Sequence, residues 1–451
     1  MAGRGRVLTG AESPRRRYAL LASIVLLGFA VRVVAVSLWQ ENLVQDRDAY
    51  LALAAGLLEG RGLSSPGTTR PTAFRPPLYP MLLAARGGAD ALAYVAIVHV
   101  LLGTATVALT LLLARRLGLG TRAAALAAGI VGLDPLLVLY TTFPMTETLS
   151  TFLTTALLLW IVHFAQAQGP PRRTSLLFAG VLFGLNVLCR PTLWVFGLLI
   201  LLHGTIRVVR RLPRQPSQSA ESAEFRGRLF RAWPAMAGVL ICVLPWTARN
   251  WNSLGAPIVT TTHGGYTLLL GNNPAFYQEV VAQPVGTVWD GSRGPGQSAW
   301  MESINHEMDR MGLESEIARD RWMSRRARRN IASDPIMFSR ASLLRLLRFW
   351  NVVPSGGAAD GVPQFLRWAI GAFYAVVLLS AAGGLVRWLR LRDARLTPLV
   401  LLIASFTLVH LFYWSNVRMR APVMPAVAVL AASLIGRCTG LRSIARRHET
   451  R

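Results

Sequence analysis

Apolar residues along this chain gather into long unbroken runs, not into the alternation of a strand or the single stripe of a surface helix. Runs near the ~20 residues that cross a bilayer as a helix lie at about 18–38, 91–114, 121–141, 146–165, 174–189, 191–206, 232–248, 365–386, 396–414 and 421–436. The pattern predicts an all-α polytopic membrane protein with about ten transmembrane helices. The fifth and sixth runs are short and parted only by Arg190-Pro191, so a re-entrant hairpin is the alternative there. Two stretches between runs are long and polar, 39–90 and 249–364. Within the second, 319–348 mixes arginine with apolar residues and is divided at Asp334-Pro335, which predicts two amphipathic helices lying on a membrane surface. A solvated charged face is the competing reading for Arg325–Arg329. Gly, Asn and Pro cluster at Thr260–Tyr266 and Gly271–Pro274, predicting turns and a mixed outer loop domain. The polar stretch 211–228 reads as a flexible linker. The chain thus divides into 1–17, a membrane module 18–248 whose first outer loop is 39–90, a loop domain 249–364, closing spans 365–436 and a basic tail 437–451. No internal repeat is visible, which weighs against an inverted-repeat transporter.

Composition agrees with hydropathy. The chain has 451 residues, of which 53% are hydrophobic and 16% charged, against the ~25% charged of an average soluble protein. Mean hydropathy is +0.40. The net charge is +26 and every basic residue is arginine; a high-GC coding bias accounts for the missing lysine. So basic a chain raises nucleic acid as a partner, but the arginines flank apolar runs instead of forming one patch. They fall at Arg15–Arg17, Arg115 and Arg116, Arg172 and Arg173, Arg207–Arg231, Arg387–Arg395, and in the tail at Arg437, Arg442, Arg446 and Arg447. These are alternate connections, which places both termini in the cytoplasm of a multi-pass protein of the plasma or inner membrane. The first run is a retained anchor, not a cleaved signal, because further spans follow. Its Arg32 is expected to snorkel or face the bundle. Acidic residues collect in the two outer stretches, so the chemistry is expected to face outward. Cys189, Cys242 and Cys438 lack metal or disulfide spacing and read as small buried hydrophobes.

Four groups of residues can carry chemistry. Gln45-Asp-Arg-Asp-Ala-Tyr50 sets Asp46 and Asp48 beside the first span, where two carboxylates can do acid–base work or hold a divalent ion. The plainer reading is a helix N-cap by one of them. Phe74-Arg-Pro-Pro-Leu-Tyr-Pro80 holds Arg75 on a stiff, extended backbone suited to a phosphate; a juxtamembrane turn anchored by Phe74 and Tyr79 is the alternative. Asp134, Glu147, Arg190, Arg249, His410, Arg418 and Arg420 are ionisable groups at membrane depth or at its outer edge. Asp134, before Pro135, reads as a structural group at a helix break, and Glu147 has a first-turn acid as its alternative. Last, the Trp, Tyr, His and Asn residues of 245–274, including His263, Asn272 and Asn273, can stack on or hydrogen-bond a sugar. Loop packing is the alternative, and a lone His263 is a poor catalytic group.

Taken in order, the acidic pair before Tyr50, FRPPLYP, P-M-T-E-T, C-R-P, P-W-x-x-R-N, G-N-N-P and R-M-R-A-P-V-M-P resemble a family. It is the GT-C glycosyltransferases that use polyprenyl-phosphate sugars, in the protein-mannosyltransferase and aminoarabinose-transferase branch (glycosyltransferase family 39-like). No single motif is specific; their order and topological side are. The resemblance implies a GT-C-like fold with extracytoplasmic juxtamembrane helices. Asp46 matches the family's aspartate four positions before the loop tyrosine, the candidate base. Arg47 stands where a glutamate is common and Asp48 follows, which leaves open which aspartate acts. Arg75 matches the basic residue implicated in binding lipid phosphate. Glu147 matches a recurring acidic position, and Arg418 and Arg420 match the late arginines, with Met419 replacing the usual tyrosine.

The expected activity is transfer of a sugar from a polyprenyl-phosphate donor to an envelope acceptor (protein, lipid or glycan) on the outer face, with inversion. Asp46 or Asp48 would be catalytic. Arg75, Arg190, Arg249, Arg418 and Arg420 would bind the donor phosphate, and Tyr50, Tyr79, Glu147, His263, Asn272 and Asn273 the substrates. The residues demand no cofactor, although the paired aspartates can bind a divalent cation. Membrane lipids are expected partners and nucleic acid is not. The rival reading is a polytopic transporter or a flippase for lipid-linked sugars, which would use the same charges as a substrate path.

Overall fold

Helix covers the body of each apolar run in the computed structural model, which describes residues 14–88, 90–166, 171–210, 218–354 and 361–435. The membrane part opens with α1 (Pro14–Leu38) and the short loop helices α2 (Tyr50–Leu58) and α3 (Leu78–Ala84). It continues through α4 (Ala91–Arg116), α5 (Thr121–Leu133), α6 (Pro135–Tyr140), α7 (Thr146–Gln166), α8 (Arg173–Cys189), α9 (Leu193–Val209) and α10 (Gln218–Leu254). A helical unit outside the apolar bundle follows: α11 (Gly264–Leu270), α12 (Pro274–Phe276), α13 (Gly296–Arg310), α14 (Glu316–Ser333) and α15 (Pro335–Phe349). The chain then returns through α16 (Gln364–Leu391), α17 (Thr397–Val409) and α18 (Met424–Ile435).

Among the described residues, five segments are long and apolar enough to cross a membrane: α1, α4, α7, α16 and Val417–Ile435. Four more, in α5, α8, α9 and α17, are apolar but have only 10–17 residues. At 1.5 Å per residue these reach roughly 15–26 Å, short of a ~30 Å hydrocarbon core. The hairpin suspected at Arg190-Pro191 is a pair of such short helices meeting at that arginine. The linker read into 211–228 is helical from Gln218, since Ala220, Glu221, Ala223, Glu224 and Arg226 are helix formers; residues 211–217, the basic tail and Cys438 lie outside the described residues.

The bundle closes around α18, whose residues from Met424 to Ser433 are all buried. Its alanines let α5, α16 and α17 approach closely, as small residues do where lipid supplies no hydrophobic drive. The contact between α8 and α10 requires glycine outright. A Cβ on Gly180 would sit 1.9 Å from the Ala235 carbonyl oxygen, and one on Gly238 2.2 Å from that of Leu177. Arg32 faces the bundle, its guanidinium donating to the carbonyls of Gly28, Gly132 and Val131 at 2.9–3.2 Å.

Asp134 breaks the helix before Pro135, as its position suggested. Its Oδ1 accepts from the amides of Leu136 (2.9 Å) and Leu137 (3.1 Å) and from the Tyr374 hydroxyl (2.7 Å), joining α6 to α16. All of this is buried. Asp134→Ala removes a cap and an interhelical bond together and is expected to destabilise the detergent-solubilised protein by about 2 kcal/mol. Thermal unfolding measures this, and an unchanged midpoint would show the cap to be dispensable.

The unit from α11 to α15 occupies the stretch read as a loop domain with amphipathic helices. It is helical, and among the described residues the one β feature is an isolated bridge between Ser64 and Pro71. The turn-forming residues at 260–274 end or cap helices instead of linking strands, and Asn273 caps α12. The unit has its own apolar core, built on Phe276, Trp289, Trp300, Met308, Trp322 and Leu344. Asp334-Pro335 does divide two helices, with the Asp334 side chain capping α15 at 2.9 Å. One face of α15 leaves Ile336, Leu343 and Leu347 exposed, as an interfacial helix would.

Candidate active site

The two aspartates after α1 point to different places. Asp46 accepts from the amides of Leu51 (2.9 Å) and Ala52 (2.8 Å), one with each oxygen. It lies just before α2 and reaches over the N-cap to the free amides of the helix start, which stabilise its charge. Asp48 points elsewhere, and the next residue, Ala49 at the N-cap of α2, has φ +62°, a left-handed conformation that costs a non-glycine residue roughly 1–3 kcal/mol.

Asp48 lies between two guanidinia from opposite ends of the chain. Arg75 donates to Oδ1 at 3.0 Å. Arg418 donates to Oδ2 at 2.7 Å and to Oδ1 at 3.4 Å. Beneath them Glu147, only 1% exposed, takes Arg190 at 2.9 Å and approaches Arg418 at 3.8 Å. Arg75, Arg418 and Arg190 against Asp48 and Glu147 leave one positive charge in excess. Burial alone would raise the Asp48 pKa; the attraction of Arg418 and Arg75 outweighs it and holds the carboxyl below its ordinary value.

The FRPPLYP segment builds this arrangement. Pro77 stands at the N-cap of α3, a position suited to its fixed φ, so Arg75 leaves the helix start. Arg75 lies 5.6 Å from the Tyr50 ring and 5.4 Å from that of Phe74. Its Nη1 is 3.4 Å from Nε2 of His263, whose ring meets Phe74 edge-on at 4.5 Å. Desolvation, then the positive charge of Arg75, push His263 down to about 3, so it is a neutral acceptor.

Several expected contacts lie elsewhere. Tyr79 is fully buried and bonds His99 Nε2 at 2.9 Å, so it is neither an interface anchor nor a substrate contact. It supports Tyr50, which meets it edge-on at 5.1 Å. Arg249 donates to the carbonyls of Thr72 (2.8 Å) and Leu63, holding the first loop closed instead of facing the cluster. Arg420 is buried with its guanidinium 4.1 Å from the Tyr374 ring and bonded to the Asn351 carbonyl at 2.5 Å. Asn272 and Asn273 turn inward: Asn272 donates to Leu268 and Phe412 carbonyls, Asn273 to those of Leu269 and Leu270. His410 stacks on Phe349 at 5.0 Å. For Arg249, Arg420, Asn272 and Asn273, backbone carbonyls consume the polar side chain.

A divalent ion does not fit this donor set. Both oxygens of Asp48 meet guanidinia and both of Asp46 meet amides. Among the described residues no three His, Cys, Asp or Glu side chains converge as metal ligands.

One participant had no signal in the sequence. Glu316, at the start of α14, accepts from the Thr72 hydroxyl (2.5 Å), the Ala73 amide (3.0 Å) and the Thr262 hydroxyl. In the chain it reads only as the first acid of an arginine-rich helix. Its partners are more than 50 and more than 240 residues away.

The sequence model of the family described as dolichyl-phosphate-mannose-protein mannosyltransferase matches residues 76–217, which begin directly after Arg75. No curated protein matches the chain. Among solved structures, the oligosaccharyltransferase of Archaeoglobus fulgidus in its apo form superposes with a TM-score of 0.55 at 17% identity, covering 97% of this chain and 52% of its own. AglB of the same organism, in complex with an inhibitory peptide and a dolichol-phosphate, gives 0.53 at 16% identity over 96% and 52%. ArnT of Cupriavidus metallidurans bound to undecaprenyl phosphate is more distant, at 0.39 and 15% identity over 94% and 79%. The chain therefore spans about half the length of the oligosaccharyltransferases it matches. The family match and the shared fold agree with the resemblance read from the motifs: the fold is GT-C-like.

Proposed function

We propose that the chain is a membrane glycosyltransferase that moves a sugar from a polyprenyl-phosphate donor to an acceptor hydroxyl at the outer face, with inversion. The observation that carries this reading is Asp48 held between Arg75 and Arg418. A polyprenyl-phosphate sugar is a phosphodiester with one negative charge, and the cluster has one positive charge in excess to receive it. As the bond from the anomeric carbon to the phosphate oxygen breaks, the phosphate gains a second negative charge. The guanidinia, already oriented, stabilise that charge more than the ground state. Each has five N–H donors, of which Asp48 uses few. The acceptor oxygen attacks the opposite face of the sugar and its proton passes to Asp48. An ionised, weakly basic carboxylate suffices because an oxocarbenium-like transition state makes the acceptor acidic late in the reaction. Supporting the donor class, AglB is similar in fold and its structure contains a dolichol-phosphate.

In a deletion strain, mass spectrometry should find donor lipid accumulated and its glycan product missing. Donor trapped on the inner leaflet would instead favour a flippase.

The pH dependence follows from the site. Asp48, held below its ordinary value, is ionised throughout the neutral range, so transfer should be flat from pH 8 to about 5. It should fall only below the ordinary carboxylate pKa of ~4. His263, neutral above about pH 3, contributes no limb. A rate profile with a limb near pH 6.5 that His263→Gln abolishes would contradict this assignment.

A further inference from the structure

We infer that Glu316 is a positioning residue for Arg75, so that the helical unit from α11 to α15 sets the phosphate affinity of the membrane site; this rests on the transferase reading above. Three donors from two segments converge on its carboxylate: the Thr72 hydroxyl and Ala73 amide of the first loop, and the Thr262 hydroxyl beside His263. The two segments also bond directly, Thr262 N–H to the Ala73 carbonyl at 3.0 Å. Arg249 holds the Thr72 carbonyl from the other side at 2.8 Å. One turn further along α14, Asp320 accepts from the Gly265 amide at 2.6 Å and fixes the start of α11.

All of these contacts reach the chain within three residues of Arg75 or of its neighbour His263. Arg75 itself has few restraints besides Asp48, His263 and two ring faces. Backbone order at Thr72-Ala73 therefore decides where its guanidinium rests before a ligand arrives. A carboxylate that accepts three hydrogen bonds, one from a backbone amide, is a strong local restraint, because charged acceptors form bonds about twice as strong as neutral ones. Glu316 does not touch the arginine cluster, so its influence must pass through the loop. This distinguishes it from Asp48 and Glu147, which touch the guanidinia directly.

The test uses the full-length chain in detergent, with undecaprenyl phosphate as the probe. Glu316→Gln should weaken binding about tenfold, and amide exchange at Thr72–Arg75 should quicken. In an Arg75→Ala background the same substitution should cost less than twofold, because the residue it positions is gone. Thr262→Val removes a single donor without altering α14 and should act in the same direction with a smaller effect. Equal losses in both backgrounds, or unchanged exchange at Thr72–Arg75 in Glu316→Gln, would overturn the positioning role alone. A wild-type chain that binds no polyprenyl phosphate would overturn the transferase reading, and the positioning role with it.

Discussion

Asp48→Asn is expected to lower the rate of transfer by about 10³-fold while leaving affinity for the lipid phosphate undiminished. The rate loss is within the range for removing a positioned general base, about 10²–10⁴. Affinity should hold, or tighten, because Asp48 competes with the phosphate for Arg75 at 3.0 Å and Arg418 at 2.7 Å. An aspartate that merely braced the two arginines would give the opposite pattern, weaker binding with little change in the rate of bound donor. Asp46→Asn is the matched control. Asp46 caps α2 through two amides and touches no guanidinium, so its loss should cost about 1 kcal/mol of stability. It should cost less than tenfold in transfer, since the cluster stays intact. Steady-state transfer in proteoliposomes, with donor binding measured separately, distinguishes these outcomes.

Glu147→Ala should be the most destabilising change at the site. Glu147 is buried beneath the cluster, pairing with Arg190 at 2.9 Å and lying 3.8 Å from Arg418. Without it two guanidinia face each other with no shared counter-ion. Removing one partner of a buried ion pair costs about 3–5 kcal/mol, because the remaining charge stays desolvated. Glu147→Gln keeps the shape and one acceptor and should lose roughly half as much. Replacing the pair together, Glu147→Gln with Arg190→Met, removes the orphaned charge and should recover much of the stability. Thermal unfolding of the wild type, Glu147→Gln, Arg190→Met and the double variant closes this cycle, with Glu147→Ala measured beside it. A double variant no better than Glu147→Ala would show that the pair does not act as a unit.

These expectations rest on features of unequal visibility in the sequence. The spanning helices were legible because a bilayer demands continuous apolar runs, and the runs at 91–114, 146–165 and 365–386 are each one helix. Asp134-Pro135 and Asp334-Pro335 were legible for a local reason: an aspartate before a proline can cap only the helix that the proline starts. The choice between Asp46 and Asp48 was not legible. It is made by their partners, the α2 amides for Asp46 and the distant Arg75 and Arg418 for Asp48; the left-handed Ala49 at the start of α2 gave no warning either, as glycine or asparagine would. Nor could the chain say which arginines face the ligand. Arg75, Arg190 and Arg418 meet carboxylates, whereas Arg249 and Arg420 satisfy carbonyls of irregular backbone. That division depends on loop closure between positions 69 to 186 residues apart. Asn272 and Asn273 were misplaced for the same reason, since polar side chains beside a broken helix are consumed by its free carbonyls.

The central claim is that Arg75 and Arg418 receive a lipid phosphate at Asp48. The most direct measurement is a structure of the full-length chain with a bound polyprenyl phosphate. Phosphate oxygens are expected at about 2.7–2.9 Å from guanidinium nitrogens of both arginines, with Asp48 still beside them. A phosphate seated away from Arg75 and Arg418, with the Asp48 pairs undisturbed, would contradict it.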